Sequence, residues 1–219
     1  MSGRVSTHAG DIRISCCGVD DDYVLDWCPW RELPDMAMDA DRPASPFFRF
    51  FNQCLQEAYR GHAVAAWDGT VLVGIATFFP EGAVRPPEGW EYPRPCALSP
   101  SSCKAFAHNL DLQVDTSVLM MGCVSVHTGS PKYRRLGVAS AMIAGVLDWA
   151  YPRGYRLVKA YARQDGGSED DWYRSPDPEA LFWRRAGFRE TGVLADGKVE
   201  MVHDLAVLHD DSPVGTWRT

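Results

Sequence analysis

Between residues 117 and 162 the hydrophobic period of the chain changes twice, and this constrains its fold more than any other feature. A β-favouring run, 117–127 (SVLMMGCVSVH), leads through Pro131 and Lys132 into a helical stripe over 135–151. There Leu136, Ala139, Ile143, Val146, Leu147 and Ala150 recur at the 3.6-residue period of an amphipathic helix. Gly154 stops that helix, and 155–162 supplies a second strand through Leu157, Val158 and Ala160. Strand, helix, strand at this spacing is a right-handed crossover between parallel strands. Gly122, inside the first strand, marks a bulge or a close backbone approach.

The flanking sequence adds strands and helices to this unit. Ile12 and Ile14 alternate with polar neighbours over 11–16, a first strand, and a short helix is expected around 23–28. Ser45 and Pro46 read as N-cap and first-turn proline of a helix carrying Phe47, Phe50, Phe51, Cys54, Leu55 and Ala58, with Gly61 as its stop. Residues 62–67 and 70–79 form a hairpin around Asp68-Gly69. The proline-rich segment 80–116 is expected to be an insertion, either a lid or a surface loop, with a short helix over 100–110 after Ser99-Pro100. Asp177-Pro178 caps a last helix over 178–186 that stops at Gly187, and strands at 188–194 and 198–205 close the chain around Asp196-Gly197. The expected fold is α/β: a single mixed, mostly antiparallel sheet with a central βαβ unit and helices on both faces. One domain spans 11–208, with frayed or partner-docked ends at 1–10 and 209–219.

Charge and cysteine usage narrow the function classes. With 22 basic against 29 acidic residues the net charge is −7, which argues against a nucleic-acid or anionic-membrane surface as the main partner. No apolar run reaches the ~18 residues of a membrane span, and the polar start lacks a secretory apolar core, so a cytoplasmic protein is expected. The seven cysteines include no C-x-x-C pair. Cys96, Cys103 and His108 could supply three ligands of a metal site, but a fourth has no evident candidate nearby, so no metal is expected and reduced buried thiols are the better reading.

The chemistry-bearing stretch is 134–139, RRLGVA, between the strand and the helix of the crossover unit. A helix N-terminus offers about four unpaired N–H groups and roughly half a positive charge, which suits a phosphate or pyrophosphate. Gly137 removes a side chain where such a ligand would approach, Ala139 keeps the next turn open, and two arginines add charged donors. Neither G-x-G-x-x-G nor G-x-x-x-x-G-K-[ST] is present at this point, so nicotinamide and nucleoside-triphosphate readings lose support.

Strand, [RQ]-x-x-G-x-[GA] opening an amphipathic helix, strand, and then a helix ending in Ala186-Gly187-Phe188 resembles the GNAT acyltransferase superfamily. The resemblance implies acetyl-CoA or a related acyl-CoA as donor. It implies pyrophosphate binding by Arg134 and by the backbone amides of Arg135, Leu136, Gly137, Val138, Ala139 and Ser140. It also implies strand-like pairing of the pantetheine arm around Val124 and Val126. The family's usual thiolate-protonating Tyr corresponds here to Trp183, a cofactor-side position whose indole is not a useful acid; Tyr161 and Tyr173 are the alternatives. The connection 127–130 also lengthens the usual step from strand to motif.

For acyl transfer to an amine, His127 at the strand end is the natural base, or else an ordinary hydrogen-bonded surface histidine. Backbone N–H groups near 124–126 could stabilise an oxyanion. In one regular strand Cys123 and His127 would stand ~13 Å apart, so a Cys–His dyad is not expected and direct transfer is preferred. The acidic run 165–171 (DGGSEDD) borders the acceptor side of the resembled fold. It either attracts a cationic amine, with Glu169, Asp170 or Asp171 as base, or is a solvated loop. The expected acceptor is a small-molecule amine; a non-catalytic acyl-CoA-binding module and a protein lysine or N-terminal acetyltransferase are the alternatives, and a homodimer is left open.

Overall fold

The structure, a computed structural model, describes residues 2–7, 10–16, 46–84, 110–126, 133, 135–166, 178–195 and 197–206. Among the described residues eight strands form one sheet: β1 (Ser2–Thr7), β2 (Gly10–Cys16), β3 (Ala63–Asp68), β4 (Val71–Pro80), β5 (Val118–Val126), β6 (Leu157–Ala162), β7 (Arg189–Val193) and β8 (Val199–Asp204). Their order is β1-β2-β3-β4-β5-β6-β8-β7. Among the described residues the single parallel strand pair is β5 with β6, joined through helix α2 (Val138–Ala150), so the expected crossover unit sits at the centre of an otherwise antiparallel sheet. Helix α1 (Pro46–Tyr59) precedes β3, and α3 (Ala180–Arg185) precedes β7.

Alternation along the strands explains why both faces are covered. Val64, Ala66, Val73, Phe78, Leu119, Val158 and Ala160 point to the face packed against Met142, Ile143 and Val146 of α2 and Trp183 of α3. Phe79 and Met120 point the other way, toward Leu55 of α1 and toward Ala83 and Val84. Two-sided burial produces nearly continuous apolar strands, as in Val71–Pro80, where all but two positions are buried.

Several expectations shift by a turn or a face. Residues 2–7, assigned to a loose end, form β1 and pair with β2 from Ser2↔Ser15 to Thr7↔Gly10. The α2 stripe is wider than expected: Val138, Met142 and Trp149 are buried, while Leu136 and Ala139 are half-buried. A helix lying across a sheet buries a broader face than a simple i, i+3, i+4 stripe. After α2, one 3₁₀ turn, Tyr151–Arg153, runs to Gly154. On α1 the buried positions include polar Asn52 and Gln56, and Ala58 is exposed. The residue after α1 with positive φ is Arg60 (58°), not Gly61. Gly61 instead admits the Trp149 ring, which a Cβ there would meet at 2.7 Å.

The base of the 80–116 insertion is closed. Val84 bridges Leu110, the Asp111 amide donates to Ala83 O (2.9 Å), and the Tyr59 hydroxyl donates to Asp111 O (2.9 Å). Residues 85–109, with the Cys96, Cys103 and His108 group and all of the expected helix at 100–110 except Leu110, which is in the bridge to Val84, lie outside the described residues, as do 23–28 and the tail 209–219. No described helix is long and apolar enough to cross a membrane.

Candidate active site

Strand β5 is paired unequally on its two sides. With β4 it forms a ladder reaching from Leu119↔Pro80 to Val126↔Gly74, interrupted where Thr77 faces Gly122 and Cys123 together. This is the bulge anticipated at Gly122. The Cys123 amide donates to Thr77 Oγ1 at 2.7 Å, and a Cβ on residue 122 would lie 2.5 Å from that same oxygen. Only glycine leaves room for the hydroxyl to enter the bulge. With β6, by contrast, β5 pairs at three positions only, Val118↔Leu157, Leu119↔Val158 and Met120↔Lys159. Beyond Met120 the described residues include no further pairing, although β5 runs to Val126 and β6 to Ala162. A bulge bends its strand and increases local twist, and here it begins two residues after the last β6 partner. The two strands therefore open into a wedge at their C-terminal ends.

The loop entering α2 stands at the same end of β5. Arg135 has φ +60° and Gly137 φ +77°, both left-handed. Gly137 is the N-cap of α2, and no side chain among the described residues caps this terminus. A Cβ on Gly137 would meet no atom within 4 Å, so the space before the helix is open. Successive backbone amides in such a conformation form an anion-binding concavity, reinforced by the helix dipole. Arg135 and Ser140 are exposed beside it, Leu136 and Ala139 are half-buried, and the Val138 side chain is in the core. These residues fit a pyrophosphate. Val124 and Val126 are half-buried and pack against the core on the α2 face of the sheet.

Trp183 is placed differently from a cofactor-side group. It is 2% exposed, packs edge-on to Phe182 and Phe188, and its indole N–H has no hydrogen-bond partner among the described residues. A side chain this enclosed packs rather than binds, so the cofactor contact assigned to it is withdrawn. His127, Arg134, Glu169 and Tyr173 lie outside the described residues, as do Asp170 and Asp171. Tyr161 is described: half-buried on β6 beyond the last β5 pair, it packs with the α1-face cluster of Met120 and Phe79. Lys159 lies on the same face and bonds Glu81 at 2.8 Å, a contact that raises its pKa.

The acidic run begins with a structural residue. Asp165 accepts the Leu181 amide at 2.7 Å, and that bond, followed by Arg184, lowers its pKa. Arg184 also reaches Glu190, tying α3 to β7. Asp165 thus supplies an N-terminal acceptor for α3, a role expected of Asp177, which lies outside the described residues. Two contributors escaped the sequence reading. Thr77 carries no local signal of a role, and Tyr133, next to the arginine motif, is buried with its hydroxyl on Asp68 Oδ2 at 2.8 Å.

A model of the acetyltransferase (GNAT) family matches residues 25–174. Among solved structures, the GNAT domain of S. lividans PAT aligns over 93% of this chain and 96% of its own, with a TM-score of 0.52 at 13% identity. An acetyltransferase of the GNAT family from Staphylococcus aureus Mu50 aligns over 89% and 99%, with 0.51 at 13%. PaiA N-acetyltransferase from Thermoplasma acidophilum, solved with coenzyme A, aligns over 88% and 98%, with 0.50 at 8%. At these identities the likeness is one of fold. No curated protein matches the chain by sequence. The family match spans well over half the chain, and the split strand and open helix entrance lie within it: this chain belongs to the acetyltransferase (GNAT) family.

Proposed function

We propose that this acetyltransferase moves an acetyl or other short acyl group from acyl-CoA directly to an amine of a small molecule. The observation that carries the reading is the coincidence of two openings at one end of β5: the wedge beyond Met120 and the uncapped entrance of α2 at Gly137. An acyl-CoA bound there supplies an activated thioester. Arg134, Arg135 and the amides from Leu136 to Ser140 hold its pyrophosphate, while backbone around Val124 and Val126 orients the arm and offers N–H groups to a developing oxyanion.

The chain must also manage the protons. An alkylamine of pKa ~10.4 requires about 4.6 kcal/mol to deprotonate at pH 7, which a base or water relay supplies. His127 and Glu169 are the proposed bases, with Asp170 and Asp171 as neighbours of the latter. Tyr173 or Tyr161 is the proposed acid for the leaving thiolate, whose pKa of ~8.5 also permits unaided departure. The base of the 80–116 segment, Val84 and Leu110, packs with Met120 and Tyr161 on the face opposite α2, beside the wedge. The absence of nucleic-acid partners completes the proposal, resting on the acidic balance of −7.

The test is release of free thiol from acetyl-CoA against a panel of polyamines, amino acids, aminoglycosides and a lysine peptide. Turnover with one of the small amines is expected. Turnover with the peptide alone would replace the reading by protein acetylation. CoA binding without turnover on any amine would leave an acyl-CoA-binding module, which the buried Trp183 at the usual acid position favours.

A further inference from the structure

Tyr133 is the last described residue before the phosphate-loop backbone, and it is fixed at both ends. Its ring is 5% exposed and belongs to the main core with Val138, Met142 and Ile143 of α2. Its hydroxyl donates to Asp68 Oδ2 at 2.8 Å across 65 residues of sequence. Asp68 is itself on a rigid platform: in register it faces Ile12 of β2 and Val71 of β4 at the β3–β4 turn. Two residues after Tyr133 the backbone enters the left-handed region at Arg135, and it does so again at Gly137. A non-glycine residue held at φ +60° persists only where its surroundings over-determine it.

We infer that the Tyr133–Asp68 hydrogen bond is a positioning strap that holds the loop from Arg135 to Gly137 in its anion-binding shape from outside the ligand site. Resting on the acyl-CoA reading above, this makes Tyr133 and Asp68 positioning residues for donor affinity, neither of which touches the donor. The strap works because its two halves are separable. The ring seats the residue in the core, and the hydroxyl ties it to the β3–β4 turn.

The separation dictates the experiment. CoA binding to the full chain is titrated calorimetrically for wild type, Tyr133→Phe, Asp68→Ala, the double variant and Asp68→Asn, with far-UV circular dichroism of each. The dissociation constant is expected to rise about tenfold in each single variant, with no further rise in the double variant and partial recovery in Asp68→Asn, which keeps a side-chain oxygen. Native dichroism in Tyr133→Phe with affinity within twofold of wild type would overturn the strap. So would single-variant losses that multiply in the double variant, because the two groups would then act separately. Absence of CoA binding by the wild type would instead overturn the acyl-CoA reading, a distinct result.

Discussion

Along one edge β5 is laddered to β4 as far as Val126 with a single bulge, whereas along the other it leaves β6 after Met120. Both edges belong to one strand of one sheet, so neither side-chain composition nor burial alone distinguishes them. The difference originates at Gly122 and Cys123, where two residues face Thr77 and the strand bends. The continuous edge supplies rigidity, and the interrupted edge supplies backbone that a ligand arm can pair with. An opening in a sheet therefore needs a well-held neighbour, since a strand loose on both sides could present no defined surface.

The largest effect that would break this arrangement is Gly122→Val. A Cβ would stand 2.5 Å from Thr77 Oγ1 and 3.4 Å from Thr77 O, displacing the hydroxyl from the bulge. Stability is expected to fall by about 3 kcal/mol or more, read as a lower urea midpoint. An unmoved midpoint would mean that the bulge does not seat the strand.

A second perturbation attacks the laddered side through pH. The His62 carbonyl accepts the Phe78 amide at 2.8 Å, one residue beyond the bulge-facing Thr77. Its ring is 1% exposed, with Nδ1 on Gln56 Oε1 at 2.7 Å and no partner for Nε2 among the described residues. Burial lowers its pKa from 6.5 to about 4. The unfolded chain takes up this proton near 6.5 and the native chain only near 4, so stability is complete above pH 6.5 and falls as the pH drops toward 4. The loss amounts to about 2–3 kcal/mol. Burial lowers the His203 pKa in the same direction, so the measurement is the difference in melting temperature against pH between wild type and His62→Gln. The variant should give the shallower acid slope, and equal slopes would remove His62 from the account.

Gly137 makes the opposite test, because its substitution meets space instead of atoms. Gly137→Ala adds a Cβ with nothing within 4 Å, at φ +77°. Left-handed strain accounts for about 1–2 kcal/mol, while CoA affinity is expected to fall at least tenfold, about 1.4 kcal/mol. Gly122 and Gly137 thus divide fold from ligand. Undiminished CoA affinity in Gly137→Ala would show that no phosphate approaches there.

Local signals revealed half of this comparison in the sequence. Gly122 inside a β-run announced the bulge, and the change of period at Gly137 announced the helix entrance, because both are written in consecutive residues. What escaped was non-local. Ser2–Thr7 has only Val5 as an apolar residue, so nothing in its period marked a strand; pairing with β2 makes it one. Asp68 reads as a turn residue because its partner Tyr133 lies 65 residues away, and Asp165 reads as part of an acidic rim because Leu181 lies 16 residues away. Trp183 was placed by its position in a motif, whereas its exposure is set by Phe188 and the core around it.

The smallest expected effect asks whether the two edges are mechanically linked. Thr77→Val keeps the shape of the side chain and removes the acceptor of the Cys123 amide, a loss of about 1–2 kcal/mol. Thr77 lies on β4, on the laddered side of β5, so it has no place in the wedge. If the bulge sets the course of β5 away from β6, weakening it should also change CoA affinity, by about twofold, since the backbone at Val124 and Val126 would be less sharply held. Thr77→Ser, which retains the oxygen, should restore the affinity even where it does not restore all of the stability. Stability lost with affinity untouched would mean that the wedge is held open by something other than the bulge, and the two edges would have to be treated as independent structures.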